Sequence, residues 1–150
     1  MQLIFPAYNF KIKKVENRNY VFDIIRKKYI LLTPEEWVRQ HLIHYLIDAK
    51  QCPPSLLGIE KGIKVGALNK RVDVVVFDGK GKPLLLAECK SPDVTLTTDT
   101  LQQAAVYNKT LGVEYLLITN GLNMHICKYS NGFNQFEFLT EIGAYPFKQA

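Results

Sequence analysis

Three charged residues lie within or beside two apolar segments of this chain. Asp73 interrupts a β-branched and aromatic run at residues 72–77, and Glu88 interrupts a second apolar run at residues 84–89. Lys90 follows directly. Carboxylate oxygens are the ligands that Mg²⁺ and Mn²⁺ prefer, and a lysine beside them can orient a water molecule or stabilise a phosphate. These residues therefore form a candidate metal-dependent hydrolytic site.

The residues between the two runs predict an antiparallel hairpin. Residues 78–83 read Asp-Gly-Lys-Gly-Lys-Pro, which is typical of a turn. If these six residues are unpaired, Phe77 lies opposite Leu84 and Asp73 lies opposite Glu88. Two opposed carboxylates about 5 Å apart repel each other unless a cation neutralises them. The alternative is a solvated ion-pair cluster at a sheet edge.

Alternation along the two strands assigns their side chains to two faces. It places Asp73 on the same face as Glu88 and Lys90, and it directs the Cys89 side chain to the opposite face, together with Val72. Both faces are otherwise apolar, which is typical of central strands that are covered on both sides.

Signals elsewhere in the chain predict the elements around this hairpin. Thr33 can cap a helix that begins at Pro34 and ends near residue 50, with Glu36 completing a capping box. A second helix is expected at about residues 99–111, ending at Gly112. Strands are expected at about 57–67, 114–119, 124–129 and 133–139, whereas residues 1–32 read as irregular with short strand-like pieces such as 20–24. The pattern predicts a mixed α/β sheet with helices on its faces.

Length and composition restrict the class of protein. A chain of 150 residues fits a single domain over residues 1–150. The net charge of +5 favours an anionic partner, and residues 1–32 are basic with interleaved aromatic residues. This basic segment predicts either a solvated face or a surface that binds phosphates. Three cysteines without a C-x-x-C pair indicate reduced thiols.

The sequence also lacks three kinds of signal: a membrane span, a signal peptide and an ATP-binding motif. No apolar run approaches the 18 residues of a membrane span, and the first residues lack the features of a signal peptide, so a cytoplasmic location without a membrane partner is expected. No G-x-x-x-x-G-K-[ST] motif is present, so no ATP site is expected in this chain.

The ordered motifs resemble a known nuclease superfamily. Asp73, then Glu88-Cys-Lys90, then Gln103-Ala-Ala-Val-Tyr107 resembles the PD-(D/E)xK superfamily, in the branch with a Q-x-x-x-Y helix. The segments Thr-Pro-Glu-Glu-Trp-Val-Arg-Gln, Lys-Arg-Val-Asp-Val-Val, Ala-Glu-Cys-Lys-Ser-Pro and Thr-Asn-Gly resemble, more narrowly, the N-terminal nuclease domain of type I restriction enzyme R subunits. The resemblance spans roughly residues 20–140. Val72 departs from it, since the superfamily often has proline there.

This resemblance implies a restriction-endonuclease-like mixed β-sheet with flanking helices and a nuclease-like core at about residues 33–140. It implies that Asp73 and Glu88 bind Mg²⁺ or Mn²⁺, with help from the backbone carbonyl of Cys89. Lys90 would orient or activate the attacking water and stabilise negative charge. Gln103 and Tyr107 would support the site or contact the nucleic-acid backbone.

Two further residues have roles that the resemblance leaves open. Glu36 is a further carboxylate of the site or only the capping-box residue, and Glu35 is a rival for the position. Arg71 contacts phosphate or forms a surface ion pair.

The function expected from the resemblance is metal-dependent hydrolysis of DNA phosphodiesters by a deoxyribonuclease with endo- or exonuclease action, with other restriction-system subunits as partners. The alternative is a non-catalytic module that binds nucleic acid or docks on a partner while retaining the nuclease fold.

Overall fold

The computed structural model describes residues 2–65, 67–130 and 135–147, except for the side chains of residues 65, 68, 107, 109 and 110. These residues form two α-helices, nine strands and a short 3₁₀ helix at Pro54–Leu56. The α-helices and strands follow in chain order: β1 (Ile12–Val15), β2 (Arg18–Asp23), β3 (Lys28–Leu31), α1 (Pro34–Asp48), β4 (Leu57–Val65), β5 (Leu68–Phe77), β6 (Pro83–Cys89), α2 (Thr98–Leu111), β7 (Tyr115–Thr119), β8 (Met124–Ser130) and β9 (Gln135–Leu139).

The larger of the two sheets has six strands in the order β4-β5-β6-β7-β8-β9. Strands β6 and β7 are parallel, and every other neighbouring pair is antiparallel. A parallel pair needs a crossover connection, and α2 supplies it between β6 and β7. The predicted mixed α/β class, with the order of helices and strands expected after residue 32, is confirmed.

Each face of the six-stranded sheet is covered by one helix. Val38, Leu42 and Leu46 of α1 pack in one apolar cluster with Val74 and Leu85. The opposite cluster contains Ala105 and Leu111 of α2, together with Val75 and Leu86. The prediction that the hairpin strands are central and buried on both sides is therefore confirmed.

Both helices begin and end where local chemistry predicts. The Thr33 side chain accepts a hydrogen bond of 3.0 Å from the backbone N–H of Glu36 at the start of α1. Gly112 ends α2 in the left-handed region, with φ of 73°, which favours glycine because it has no Cβ.

The register of the β5–β6 hairpin agrees with the prediction in its centre and departs from it at both ends. Val75 pairs with Leu86, but Phe77 pairs with Pro83 instead of Leu84, because the register shifts between Val76 and Phe77. At the other end the pairing stops at Val74–Ala87. Asp73 and Glu88 are therefore not paired in the ladder, although they are the next two residues that the same register would place opposite each other.

The face assignment of Val72 is wrong. Val72 packs in the α2 cluster, whereas Val74 packs in the α1 cluster. In the neighbouring strand β4, Ile59 and Ile63 also lie in different clusters. Glu60 lies between them with a positive φ of 50°, and this backbone conformation breaks the regular alternation beside Asp73.

Residues 11–31 are more regular than the sequence predicts. Strands β1, β2 and β3 form a separate antiparallel sheet in that order. The signal in the sequence was weak because lysines and aromatics alternate irregularly and two of the strands have only four residues.

Other predictions are met where the structure describes the residues. All three cysteines are buried free thiols. Strands β8 and β9 pair antiparallel, while residues 131–134, which include the start of the strand expected at 133–139, lie outside the described residues. In the described part of the chain, neither helix has the length and apolar character needed to cross a membrane.

Candidate active site

Asp73 lies in the middle of β5, at the point where the pairing of β5 with β6 stops. Its Oδ2 atom accepts a hydrogen bond of 2.7 Å from the backbone N–H of Cys89, and its Oδ1 atom accepts one of 3.2 Å from Nη2 of Arg39. The Asp73 carboxylate thus accepts the hydrogen bond of the Cys89 N–H, which lies just beyond the last backbone pair of the hairpin. Because the bond runs to the backbone, the position of Asp73 relative to residues 88–90 is fixed.

Glu88 lies beside Asp73, and we refer to these two residues as the strand-end carboxylates. Its Oε1 atom is 3.1 Å from Nζ of Lys70, which comes from β5. Burial raises the pKa of Glu88, and the charge of Asp73 raises this pKa further, while Lys70 and Lys90 oppose both effects. The raised pKa therefore reflects mainly the burial of the Glu88 carboxylate, with the charge of Asp73 as a smaller contribution.

Lys90 directly follows β6 and lies near Glu88. Its backbone N–H donates to the carbonyl oxygen of Thr119 at 2.8 Å, which extends the parallel pairing of β6 and β7. Its side chain is exposed and lies near enough to lower the pKa of Glu88. The structure therefore brings together Asp73, Glu88 and Lys90, the three residues that the sequence proposes for catalysis.

Cys89 contributes only its backbone to this region. Its side chain is fully buried in the α1 cluster, as the alternation predicts. Burial raises the pKa of its thiol well above the ordinary range, so the nucleophilic thiolate is disfavoured.

Arg39 of α1 is the residue near the site that the sequence argument missed. Its guanidinium donates to Glu36 at 2.8 Å and to Glu60 at 2.9 Å through Nη1, and to Asp73 through Nη2. The spacing of Glu36 and Arg39, three residues apart on one helix, was the available signal. The partners Glu60 and Asp73 are distant in sequence and could not be inferred from it.

Arg39 belongs to a larger set of charged side chains between α1 and the N-terminal sheet. We define the buried ionic cluster as Asp23, Arg26, Glu36, Arg39 and Gln40. Gln40 donates to Asp23 at 2.9 Å and to Glu36 at 3.0 Å, and Arg26 also bonds both carboxylates. These hydrogen bonds hold the β2–β3 turn against α1.

Asp23 has its charge fully satisfied inside this cluster. It accepts backbone hydrogen bonds from Ile25 and Arg26 and side-chain hydrogen bonds from Arg26 and Gln40. Burial alone would raise the pKa of Asp23, but the hydrogen bonds and the charge of Arg26 outweigh it, and the pKa is lowered.

Glu36 has its carboxylate in the buried ionic cluster. Oε1 accepts from Arg39, and Oε2 accepts from Arg26 and Gln40, both at 3.0 Å. Its backbone N–H supplies one half of the capping box. Glu35, the rival for the position, is exposed.

The remaining predicted site residues are Arg71 on β5 and Gln103 and Tyr107 on α2. Arg71 forms a surface ion pair of 3.1 Å with Glu60 and is 73% exposed, which matches the simpler of its two predicted roles. Gln103 lies on α2 with an exposed side chain. Tyr107 also lies in α2, but its side chain is outside the described residues.

The strand-end carboxylates offer a donor set suited to a hard divalent cation. Asp73 and Glu88 supply carboxylate oxygens, and burial first and the charge of Asp73 second raise the pKa of Glu88, an effect that a bound cation would oppose. Among the described residues, no group of three or more acidic, histidine or cysteine side chains is arranged to hold a metal. Mg²⁺ commonly takes only one or two carboxylates and completes its shell with water and substrate phosphates, so two suffice.

Two concavities adjoin the site. One of about 840 Å³ lies at the start of α1, and its lining residues include Thr33, Glu35, Trp37, Ser91, Pro92 and Asp93. The other, of about 400 Å³, lies along the β4–β5 hairpin and is lined by Gly62, Ile63, Lys64, Asn69, Lys70 and Arg71. The first begins one residue after Lys90, and the second contains the cation that pairs with Glu88.

Residues 34–143 match the family model described as the N terminus of the type I restriction enzyme R protein. The chain belongs to this family. The match includes every residue from α1 to β9, and therefore Asp73, Glu88 and Lys90. The resemblance noted in the sequence is thereby confirmed at the level of the family.

A solved structure shows the same fold. A fragment assigned as an HsdR subunit of a type I restriction enzyme from Vibrio vulnificus YJ016 aligns with a TM-score of 0.51 at 19% identity, covering 75% of this chain and 24% of the Vibrio chain. A protein from Anabaena variabilis ATCC 29413 assigned as a nuclease of DUF820 aligns with a TM-score of 0.47 at 12% identity, covering 81% of this chain and 76% of that protein. The search of curated proteins gave no match.

The chain thus spans about a quarter of the length of the Vibrio fragment. It is a nuclease-like domain of the R-subunit N-terminal family, and it shares its mixed α/β fold with that fragment.

Proposed function

We propose that this domain hydrolyses DNA phosphodiesters in a reaction that depends on Mg²⁺ or Mn²⁺. The observation that carries the proposal is that Asp73, Glu88 and Lys90 lie close together where the pairing of β5 with β6 stops. Burial and the charge of Asp73 raise the pKa of Glu88 at this point. Crowded carboxylates beside an exposed lysine are costly for the fold and useful for phosphate chemistry.

Each residue has a separate part in this proposal. Asp73 and Glu88 would hold the cation, with the carbonyl oxygen of Cys89 as a third protein ligand. When bound, the cation supplies charge neutralisation at the phosphate and a more acidic water. The hydrogen bond from the Cys89 N–H to Asp73 fixes one carboxylate before any ligand arrives, so little reorganisation is needed.

Lys90 would act on the phosphate or on the attacking water. Its exposed ammonium has three donors and can place a water in line with the scissile bond or stabilise the charge that develops on the phosphate oxygens. Proton abstraction by Lys90 would need a neutral amine, which burial would favour. Since Lys90 is exposed, we assign it orientation and charge stabilisation.

Cations around the site would bind the DNA backbone. Lys64, Lys70 and Arg71 line the concavity of about 400 Å³ on the β4–β5 hairpin. Phosphate contacts by lysine and arginine supply most of the sequence-independent affinity for DNA. This arrangement supports a substrate path that approaches the strand-end carboxylates along the hairpin.

The proposal is tested by cleavage of supercoiled plasmid DNA with Mg²⁺, Mn²⁺ or EDTA. Asp73→Asn, Glu88→Gln and Lys90→Ala should each lower the cleavage rate by at least about 100-fold, equivalent to about 2.7 kcal/mol of transition-state stabilisation. Matched controls are Glu137→Gln and Lys80→Ala, which remove the same charges at exposed positions in β9 and in the hairpin turn.

Circular dichroism spectra like that of the wild type would show that the variants are folded. Cleavage by the wild type in EDTA, or cleavage that survives in folded Glu88→Gln, would overturn the proposal.

A second function is favoured by one observation, which is that both strand-end carboxylates already have cationic partners. Arg39 pairs with Asp73 and Lys70 pairs with Glu88. A domain whose carboxylates are neutralised by its own side chains can serve as a non-catalytic module that binds nucleic acid or a partner subunit. Calorimetric titration with Mn²⁺ separates the two functions. Absence of heat, together with retained salt-dependent DNA binding, would favour the module.

The family suggests the setting in which either function would operate. We propose that the domain acts with other subunits of a type I restriction system. This chain contains no G-x-x-x-x-G-K-[ST] motif, so any ATP-driven movement of DNA would come from elsewhere in the assembly.

A further inference from the structure

The sheet formed by β1, β2 and β3 carries the whole excess charge of the protein. Residues 11–31 contain seven lysines and arginines against two acidic residues, an excess of five that equals the net charge of the chain. Asp23 and Arg26 neutralise each other in the buried ionic cluster. The remaining cations are exposed: Lys11, Lys13, Lys14, Arg18, Lys27 and Lys28.

One face of this sheet combines three of these cations, Lys11, Lys13 and Arg18, with aromatic rings. The register places Lys13, Tyr20 and Leu31 side by side in one row, and Phe22 beside Tyr29 in the next. Directly opposed residues point to the same side of a sheet. We call this the basic sheet face, and its residues are Lys11, Lys13, Val15, Arg18, Tyr20, Phe22, Tyr29 and Leu31.

The basic sheet face is the outer face. Val21 and Asp23 alternate with its residues along β2 and are fully buried, so the other face packs against the domain. By contrast, Val15 is 45%, Tyr29 37% and Leu31 40% exposed. Exposed apolar side chains clustered on one surface indicate a binding site more often than a solvated one.

The cations and rings of the basic sheet face are in contact. Nζ of Lys13 lies 4.1 Å from the ring centroid of Tyr29, and Nζ of Lys11 lies 5.7 Å from that of Phe22. The rings of Phe22 and Tyr29 lie 5.3 Å apart. A ligand that stacks on these rings would have its negative groups within reach of the two ammonium groups.

We propose that the basic sheet face binds single-stranded DNA. Aromatic rings on a flat sheet can stack on bases that are not already stacked in a duplex, and flanking lysines can follow the phosphates. A duplex offers its bases only within its grooves, which a helix or a two-stranded ribbon can enter and a flat three-stranded face cannot. The charge and the rings together therefore favour a single strand over a duplex.

This site is separate from the strand-end carboxylates, and the proposal does not require that the domain cleaves DNA. Fluorescence anisotropy in EDTA with labelled dT20, and with a 20-base-pair duplex, measures binding without cleavage. The single strand should bind at least about fivefold more tightly than the duplex, and its log Kd should change steeply with log salt concentration.

Two variants separate stacking from charge. Tyr29→Ser should weaken binding of dT20 by about fivefold or more with little change in the salt slope, whereas Lys13→Gln should lower that slope by about 0.7. The control Phe138→Ser removes an aromatic ring that is 52% exposed on β9, and it should leave binding unchanged.

Equal weakening of single-strand and duplex binding by Tyr29→Ser, or equal effects of Tyr29→Ser and Phe138→Ser on binding of dT20, would overturn the proposal. A failure to bind either DNA at 50 mM salt would overturn it too, and would leave a protein partner as the explanation for the exposed apolar side chains.

Discussion

The buried ionic cluster and the strand-end carboxylates are built from the same side-chain types and are joined through Arg39, yet their charges are satisfied differently. In the cluster, Asp23 accepts four hydrogen bonds and its pKa is lowered. At the strand ends, burial and Asp73 raise the pKa of Glu88 in spite of Lys70. The fold stabilises the charged form in one region and disfavours it in the other.

This difference is the one we expect between a structural role and the catalytic role that we propose for the strand-end carboxylates. A fully hydrogen-bonded buried carboxylate gains little free energy from a new ligand, because that ligand must replace several hydrogen bonds. A carboxylate that is crowded and paired with one lysine gains from a stronger cation. Perturbed carboxylates of the second kind are concentrated at catalytic sites.

The largest effect on stability is expected from Asp23→Asn. The amide would direct a donor group toward the donors of Arg26 and Gln40, so we expect a loss of about 3 kcal/mol in the free energy of unfolding at pH 7. Urea denaturation measures it, with the exposed Asp93→Asn as control.

The same variant gives a pH test with a definite sign. Because folding lowers the pKa of Asp23, its stabilisation is present above the ordinary value near 3.8 and is lost as the pH falls through the lower pKa of the folded state. The difference between wild type and Asp23→Asn should therefore shrink below about pH 4. A difference that stays constant from pH 7 to pH 3 would show that the charge of Asp23 is not the stabilising feature.

Glu36→Gln sharpens the comparison at a residue for which two roles were predicted. Its carboxylate accepts hydrogen bonds from Arg26, Arg39 and Gln40, so we expect the variant to lose about 2 kcal/mol of stability. Its affinity for Mn²⁺, measured by calorimetry, should stay within about threefold of the wild type. A tenfold weaker affinity would place Glu36 among the metal ligands and move it from the structural region to the functional one.

The sequence predicted the centre of the site better than its surroundings. Asp73, Glu88 and Lys90 lie in strands with strong β-propensity and clear turn residues between them, so their meeting followed from local rules. The positive φ of Glu60 and the irregular pairing beside Asp73 depend on neighbouring strands. As a result, Val72 packs in the α2 cluster and not in the α1 cluster that alternation predicts.

The ionic partners of the site could not be predicted for a related reason. Arg39 and Asp73 are 34 residues apart, and nothing in the helix that contains Arg39 indicates which strand it will contact. The three-stranded sheet was missed because its outer face mixes lysine with aromatic side chains and lacks the alternation that a half-buried strand shows.

Lys70→Gln tests whether Lys70 competes with a metal for Glu88. Its ammonium lies 3.1 Å from the Glu88 carboxylate. Unit charges at about 4 Å in water interact by about 1 kcal/mol, so its removal should tighten Mn²⁺ binding by on the order of fivefold. The control Lys64→Gln removes the same charge from the same hairpin and leaves the Lys70–Glu88 pair in place. Weaker binding in Lys70→Gln would instead make Lys70 a supporting residue of the site.

Arg71→Gln should have the smallest effect, and it probes the outer edge of the charged region. Arg71 forms an exposed ion pair with Glu60, and such pairs contribute less than about 1 kcal/mol, so the midpoint of urea denaturation should scarcely move. Duplex DNA binding gives the sharper measurement. If Arg71 leaves Glu60 for a phosphate, the slope of log Kd against log salt concentration should fall by about 1 in the variant. An unchanged slope would assign Arg71 to the surface ion pair alone, because an ion pair that persists in the complex displaces no counterions from DNA.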